Sequence, residues 1–281
     1  MQVLFSNERV MDHFYSIYED HHNVCDKLAT ECYDCQISKL AFGLKSGRYS
    51  QKKECKRQAH DMQNEEEKDA IDIYQDGIKP QSFKNLIGKG HQEFSSARQQ
   101  DAQEFIQWVF DKFETEEAKR GRVNPCKIYD FDIEHRYECT QCHGVAYVKE
   151  RTNQLNLHII AQENVDVIPE EEELSNALER YFGDEIINKN CPQCTDKQDF
   201  NKRTRFLNFP KVLIVVTQRF TYQNWTPTKV NTALKVILDD LNLENFKAAG
   251  GLQPGEVGLP DGSEVEVEVE AEINQDLLNM C

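Results

Sequence analysis

Two cysteine pairs carry the clearest chemistry in this sequence. "ECTQCHG" and "NCPQCTD" contain Cys139-x-x-Cys142 and Cys191-x-x-Cys194, with 48 residues between the pairs. A Cys-x-x-Cys turn aims two sulfurs at one point, and two such turns complete a tetrahedral zinc site. Gly144 follows the first pair and Pro192 lies inside the second, so both read as turns at strand ends. Four thiolates leave no open coordination position, so the zinc would be structural and would do no chemistry itself. Neither pair has the strand-then-helix context of a redox dithiol.

A third pair, Cys32-x-x-Cys35, lies in "TECYDCQISKL", and His22 and Cys25 precede it with the same spacing. A second metal site can be drawn from these four. The segment reads as helix, however, which puts them on a partly buried helical face instead. A thiol nucleophile needs a histidine beside it and a third group orienting that histidine. His21 and Cys25 are four apart on the same helical stretch but lack an orienting partner, and His91 in "GKGHQEF" sits on a glycine turn and reads as solvated. The chain's own residues offer no convincing dyad, no glycine-rich phosphate loop and no Gly-x-Ser-x-Gly elbow. One polar cluster stands out in "SARQQDAQEFIQWVFDKF". Gln99, Gln100 and Asp101 precede an apolar run, and Asp101 with Glu104 three residues on has the form of a helix capping box.

The elements that must hold these residues fall into two kinds. Residues 7–46 read as helical, with Ile37, Leu40, Ala41 and Leu44 at helix spacing and Gly47 as a stop. Residues 50–76 are densely charged and read as a surface insertion. Gly88 and Gly90 mark turns, and Phe105, Val109, Phe110 and Phe113 then form one apolar helix face. From about residue 127 the period changes to two: Tyr129, Phe131, Ile133, and later Leu155, Leu157, Ile159. "EEEELSNALERYF" predicts a short helix with Leu174, Leu178 and Phe182 on one side, and "FPKVLIVVTQRF" a buried central strand. Residues 247–275, with four glycines or prolines at the start and then "EVEVEVEAE", read as a solvated acidic linker.

Acids outnumber bases 49 to 33 over 281 residues, a net charge of -16. That balance argues against nucleic acid, whose phosphates need a basic face, and suits a basic partner or simple solubility. No apolar run approaches the roughly 20 residues that span a bilayer, and "MQVLFSNERVMD" is not a signal peptide. The expectation is therefore no membrane partner, a cytoplasmic or nuclear location, and cysteines that serve as thiols or metal ligands.

Four segments, taken in order, resemble the ubiquitin-specific proteases. "RQQDAQEF" (98–105) is similar to that family's glutamine-glutamine-aspartate box, the two Cys-x-x-Cys pairs resemble the zinc knuckles of its fingers, and "FPKVLIVVTQRF" resembles its palm strand. "KNLIGKGHQEFSSARQQDAQEF" and "GGLQPGEVGLPD" are similar to the isopeptidase T branch, which disassembles polyubiquitin chains. The resemblance implies an α+β, papain-like hand. Residues 1–115 would be a helical thumb, 116–208 zinc-bearing β fingers, 209–246 part of the palm, and 247–281 an acidic linker leading to the start of a ubiquitin-associated domain. It implies a deubiquitinating cysteine protease that cleaves after ubiquitin's terminal glycine, with ubiquitin and polyubiquitin as partners. Asp101 and Glu104 would hold the two arginines of the ubiquitin tail by charge-assisted bonds, the glutamines would brace the active-site loop, and Cys139, Cys142, Cys191 and Cys194 would bind structural zinc.

The departures from the family concern catalysis. The family's nucleophile lies in a "GNTCYLNSVMQ" box and its base in a "GHYxxY" box, and neither occurs here. "MQVLF" resembles the end of the first box, which places the expected nucleophile just before Met1. No cysteine of this chain inherits the catalytic role, so the 281 residues are expected to grip ubiquitin without cutting. A non-catalytic ubiquitin-binding pseudo-protease is the alternative.

Overall fold

A computed structural model describes residues 1–51, 77–160, 171–223, 226–237 and 241–260. The charged insertion, the "EVEVEVEAE" segment and the last residues, read above as surface and linker, lie outside the described residues. The chain divides into two compact units, Met1–Lys127 and Ile128–Cys281.

The first unit is helical: α1 (Gln2–Phe5), α2 (Glu8–His21), α3 (Tyr33–Ser46), α4 (Gln81–Ile87) and α5 (Ala102–Lys119). Asn7 caps α2 by accepting the Arg9 N–H at 3.1 Å, and Gly47 ends α3 in the left-handed conformation that glycine adopts most readily. Val10, Phe14 and Ile17 recur at helical spacing and are buried. The Phe14 ring lies 4.9 Å from Phe113 of α5 and 5.7 Å from Phe5. Helices α2 and α3 run antiparallel: Asp12 pairs with Lys45 at 2.7 Å, while Tyr18 stacks on Phe42 at 4.3 Å.

The stretch 7–46, read as helical, forms two helices with a break between them. Residues 22–32 form a turn, because His22, Asn23, Asp26 and Thr30 are weak helix formers and the apolar Val24 and Leu28 find no core.

A buried ionic network ties the helices together. Glu117 of α5, fully buried, contacts His13 of α2 at 2.7 Å and Arg122 at 2.7 Å. Arg122 and Arg120 then hold the two oxygens of Asp34 of α3, at 2.6 and 3.0 Å. Burial opposes the Glu117 charge, but the bonds from His13 and Arg122 outweigh it and bring the carboxyl down to about 2.

The second unit contains β1 (Phe131–Cys139), β2 (Gly144–Thr152), β3 (Leu155–His158), β4 (Glu172–Glu173), α6 (Leu174–Tyr181), β5 (Glu185–Asn190), β6 (Lys197–Phe206), β7 (Val215–Gln218), β8 (Phe220–Gln223), β9 (Thr226–Lys229), β10 (Leu234–Lys235) and β11 (Val257–Gly258). Its main sheet has the order β11-β2-β1-β6-β5. The pairs β1–β2 and β5–β6 are antiparallel hairpins, and β1 pairs with β6 so that Cys139 lies opposite Phe200. The alternation seen in sequence buries Phe131, Ile133, Leu155 and Leu157 against Leu174 and Leu178 of α6. Phe182 closes this core, with its ring 4.8 Å from Phe206 and 4.7 Å from Phe246.

Two expectations change here. "FPKVLIVVTQRF" is not one long central strand. Val215–Gln218 pair with β3 and are half-buried, and Phe220 opens the separate β8–β9 pair; Phe209 and Leu213 instead pack on the core from irregular backbone. Residues 250–260 are not a solvated linker either. β11 joins the main sheet and Leu259 is 3% exposed, because Arg136 and Tyr147 bind Glu256 (2.7 Å each) and so dock the segment.

Candidate metal centre and acidic recess

The turns of the two hairpins meet at one end of the main sheet. Cys139 ends β1 and Cys191 directly follows β5; Cys142 and Cys194 lie in the turns that follow each. The four sulfurs lie within 4.8 Å of one another, with Cys139–Cys194 at 4.0 Å and Cys142–Cys191 at 3.7 Å. Tetrahedral zinc with Zn–S bonds of about 2.3 Å sets its sulfurs about 3.8 Å apart. None of the four is in a disulfide.

Each turn is built in the same way. The fifth residue, His143 or Thr195, takes positive φ (55° and 58°) and donates its N–H to the carbonyl of the first cysteine, at 3.0 and 2.9 Å. The Cys194 N–H also points at the Cys191 sulfur, at 3.4 Å. Burial opposes ionisation of Cys191, yet the N–H groups of Cys194 and Gln193 and the neighbouring thiols bring it to about 7. Thr140 locks the two hairpins together through N–H and hydroxyl bonds to the Asp199 carbonyl, both 2.9 Å. Leu259 roofs the cluster, and it lies so close to Gly144 that a Cβ there would meet its Cδ2 at 2.4 Å. All four sequence-predicted ligands are therefore brought together, and the donor set fits structural zinc.

Asp101 and Glu104 lie in the first unit. Asp101 caps α5, its Oδ1 accepting the N–H of Gln103 at 2.7 Å and of Glu104 at 3.1 Å. That satisfies two of the donors every helix start leaves open. Both residues remain exposed and line an open recess of about 700 Å³. Glu93 and Asp111 add two more carboxylates to its wall, and His91, Phe94 and Trp108 supply an aromatic side. His91, read from sequence as a solvated turn residue, is structural. Its ring stacks on Phe94 at 4.0 Å and meets Trp108 edge-on at 4.6 Å, and its Nδ1 accepts the N–H groups of Glu93 and Phe94, both at 3.2 Å. Trp108 is fixed by an indole bond to the Ile87 carbonyl at 2.8 Å. The Gln100 amide lies against Glu93 and Ser96 and ties the loop before α5 to itself. A helix cap followed by aromatics was visible in sequence. The remote acids Glu93 and Asp111 carried no signal there.

The histidine and cysteines of the α2–α3 turn also converge, with one change of partner. His22 turns away, stacking on Tyr18 at 4.5 Å with its Nδ1 3.1 Å from the Tyr18 carbonyl. His21 takes its place beside Cys25, Cys32 and Cys35, whose ligand atoms all lie within 4.8 Å of one another.

Residues 1–256 match the family described as "Ubiquitin carboxyl-terminal hydrolase". "Ubiquitin carboxyl-terminal hydrolase 14" of Schizosaccharomyces pombe is 29% identical over 250 residues, covering 88% of this chain and 31% of that protein. "Ubiquitin carboxyl-terminal hydrolase 5" of Homo sapiens is 30% identical over 290 residues, covering 93% of this chain and 32% of that protein. The chain thus spans about a third of the length of these curated relatives. Among solved structures, "Structure of the SAGA Ubp8/Sgf11/Sus1/Sgf73 DUB module bound to ubiquitin aldehyde" superposes with a TM-score of 0.60 at 19% identity, covering 92% of this chain and 52% of that one. That likeness shows the ubiquitin-specific protease fold, mixed helix and sheet as the motifs led one to expect. With a family match over nearly its whole length, four converging knuckle cysteines and the shared fold, the chain belongs to the ubiquitin carboxyl-terminal hydrolase family.

Proposed function

We propose that this chain is the ubiquitin-gripping part of a deubiquitinating cysteine protease that hydrolyses the isopeptide bond after ubiquitin's C-terminal glycine, with polyubiquitin chains as substrate. The observation that carries this reading is the acidic recess on α5, where Asp101, Glu104, Glu93 and Asp111 share one wall in a chain of this family. A tail with two arginines before its terminal glycines matches four carboxylates, and guanidinium–carboxylate pairs are charge-assisted and directional. The rigid mounting supports the role: Asp101 is fixed by the helix start it caps, and the aromatic side is locked by stacking and by the Trp108 bond.

In this reading residues 1–115 serve as thumb, 116–208 as fingers, and 209–246 as part of the palm. Zinc at Cys139, Cys142, Cys191 and Cys194 clamps the two finger hairpins and takes no part in bond breaking, since four thiolates fill its coordination. The 281 residues supply grip and positioning, and the attacking thiol and its base come from outside them. The test is ubiquitin binding by the 281-residue chain, with ubiquitin whose tail arginines are replaced by alanine as the comparison. Binding that falls at least tenfold with the altered tail supports the reading; equal binding to both forms, or to neither, overturns it. A ubiquitin-fluorophore conjugate incubated with the same chain is expected to stay intact.

A further inference from the structure

We infer that His21, Cys25, Cys32 and Cys35 form a second, separate zinc site that staples the α2–α3 turn. Four ligating side chains come from the last residue of α2, the turn, the residue before α3 and its first turn. Their ligand atoms lie within 4.8 Å of one another, and His21 Nε2 is 3.2 Å from the Cys32 sulfur. Three sulfurs and one imidazole nitrogen at such spacing are a donor set for tetrahedral zinc, and soft thiolates disfavour magnesium, calcium or manganese.

The turn is held by few packing contacts of its own. From His22 to Glu31 every residue but Cys25 is exposed, and the apolar Val24 and Leu28 are 75% and 69% exposed. An eleven-residue turn without a hydrophobic anchor would be expected to fluctuate. Instead Cys25, with His21 at the end of α2, lies beside the buried Cys32. The backbone is also set for the site: the Cys25 and Cys32 N–H groups bond to the His21 and Leu28 carbonyls at 3.1 Å each, and the Gln36 amide holds the Ala29 carbonyl at 2.6 Å. Cys32 stands at the start of α3 without capping it, so its sulfur is not committed to the helix. Asp34, the nearest carboxylate on α3, is occupied by Arg120 and Arg122, which leaves the sulfurs and the imidazole as the donors.

The arrangement does not suit a nucleophile. Cys32 is 4% exposed, and the sulfurs of Cys25 and Cys35 lie within 4.8 Å of its own. As a metal site the charges balance simply. Three thiols release their protons to solvent, the histidine binds neutral, and the complex carries one negative charge. The recess beside it carries Lys27, Lys119 and Arg120 against Asp26, Asp34 and Glu116, so these side chains balance one another.

The test is metal content and X-ray absorption on the purified 281-residue chain. We expect two zinc ions per chain, with a shell of seven sulfurs and one imidazole nitrogen shared between them. Cys32→Ser, Cys35→Ser should lower the content to one zinc with sulfur-only ligation, and Cys139→Ser, Cys142→Ser should leave one zinc with an imidazole in its shell. Because either variant could misfold, the unaltered chain decides. One zinc per chain with four sulfurs and no imidazole signal overturns the proposal, as does a disulfide among Cys25, Cys32 and Cys35 in peptide mapping of protein purified under reducing conditions.

Discussion

His143 and Thr195 occupy equivalent positions in two turns that share no other side chain identity beyond their cysteines and a glutamine. Each follows a Cys-x-Gln-Cys run, each has positive φ, and each N–H returns to the first cysteine's carbonyl. Among the described residues these are the two non-glycine positions with left-handed backbone.

Thr195 is the more costly of the two, because a β-branched side chain in that region is strained. It is exposed, so little packing is lost by changing it. Thr195→Asn is expected to raise stability by about 0.5–1 kcal/mol, and Thr195→Val, also branched, to give no gain. Urea unfolding of the zinc-loaded chain checks this, and equal stabilities for the asparagine and valine variants would contradict it.

Asp101 has two roles that different substitutions separate. Asp101→Asn keeps a capping oxygen and removes the charge, whereas Asp101→Ala removes both. We expect the asparagine change combined with Glu104→Gln to weaken ubiquitin binding at least tenfold, about 1.5 kcal/mol or more for two charged bonds, with little change in Tm. Asp101→Ala alone should also cost about 1 kcal/mol of folding stability. Calorimetric titration beside thermal melts reads both quantities. Unchanged ubiquitin affinity in the Asn/Gln variant would remove the recess from the grip.

Glu117 predicts a pH dependence. Its carboxyl ionises at about 2 in the folded chain, against 4.5 for the free group. A depressed pKa stabilises the fold fully above the free value, and the contribution drains away as pH falls toward the folded value. Glu117→Gln should therefore cost about 3 kcal/mol near neutral pH, where it removes one of the two carboxylates that hold Arg122. The gap from the unaltered chain should shrink to less than half near about pH 3. A difference independent of pH between about 7 and 3 would mean the carboxylate's charge is not what stabilises the helices.

Gly144 tests the roof over the cysteines. Gly144→Ala would drive a methyl into Leu259 and should cost about 1–3 kcal/mol by overpacking. Leu259→Ala loses burial on its own, so the double variant should be less damaged than the sum of the two. A coupling of about 1 kcal/mol in that cycle is expected. Strict additivity would show that β11 is held by the Glu256 bonds to Arg136 and Tyr147 alone.

What sequence made legible was whatever rests on period and spacing. Leu155, Leu157, Leu174 and Leu178 alternate or recur as their elements require, and all are buried. The four knuckle cysteines converge because paired turns are a local geometry. The helical reading of 7–46 ran across the break at 22–32 because no glycine or proline marks it there. The docking of 250–260 was hidden because a glycine-rich acidic stretch gives no hint that one leucine and one glutamate hold it. "FPKVLIVV" was apolar because it lines a core from irregular backbone as well as from a short strand.

The division of the knuckle cysteines between two hairpins also bears on the order of folding. The hairpins β1–β2 and β5–β6 are local and can close on the microsecond scale, whereas pairing β1 with β6 must first enclose the chain between them. Neither hairpin alone presents more than two sulfurs, so tight metal capture waits for that slow encounter. Metal uptake during refolding would then time the long-range pairing, and a metal supplied late would find the sheet's two halves already searching for each other.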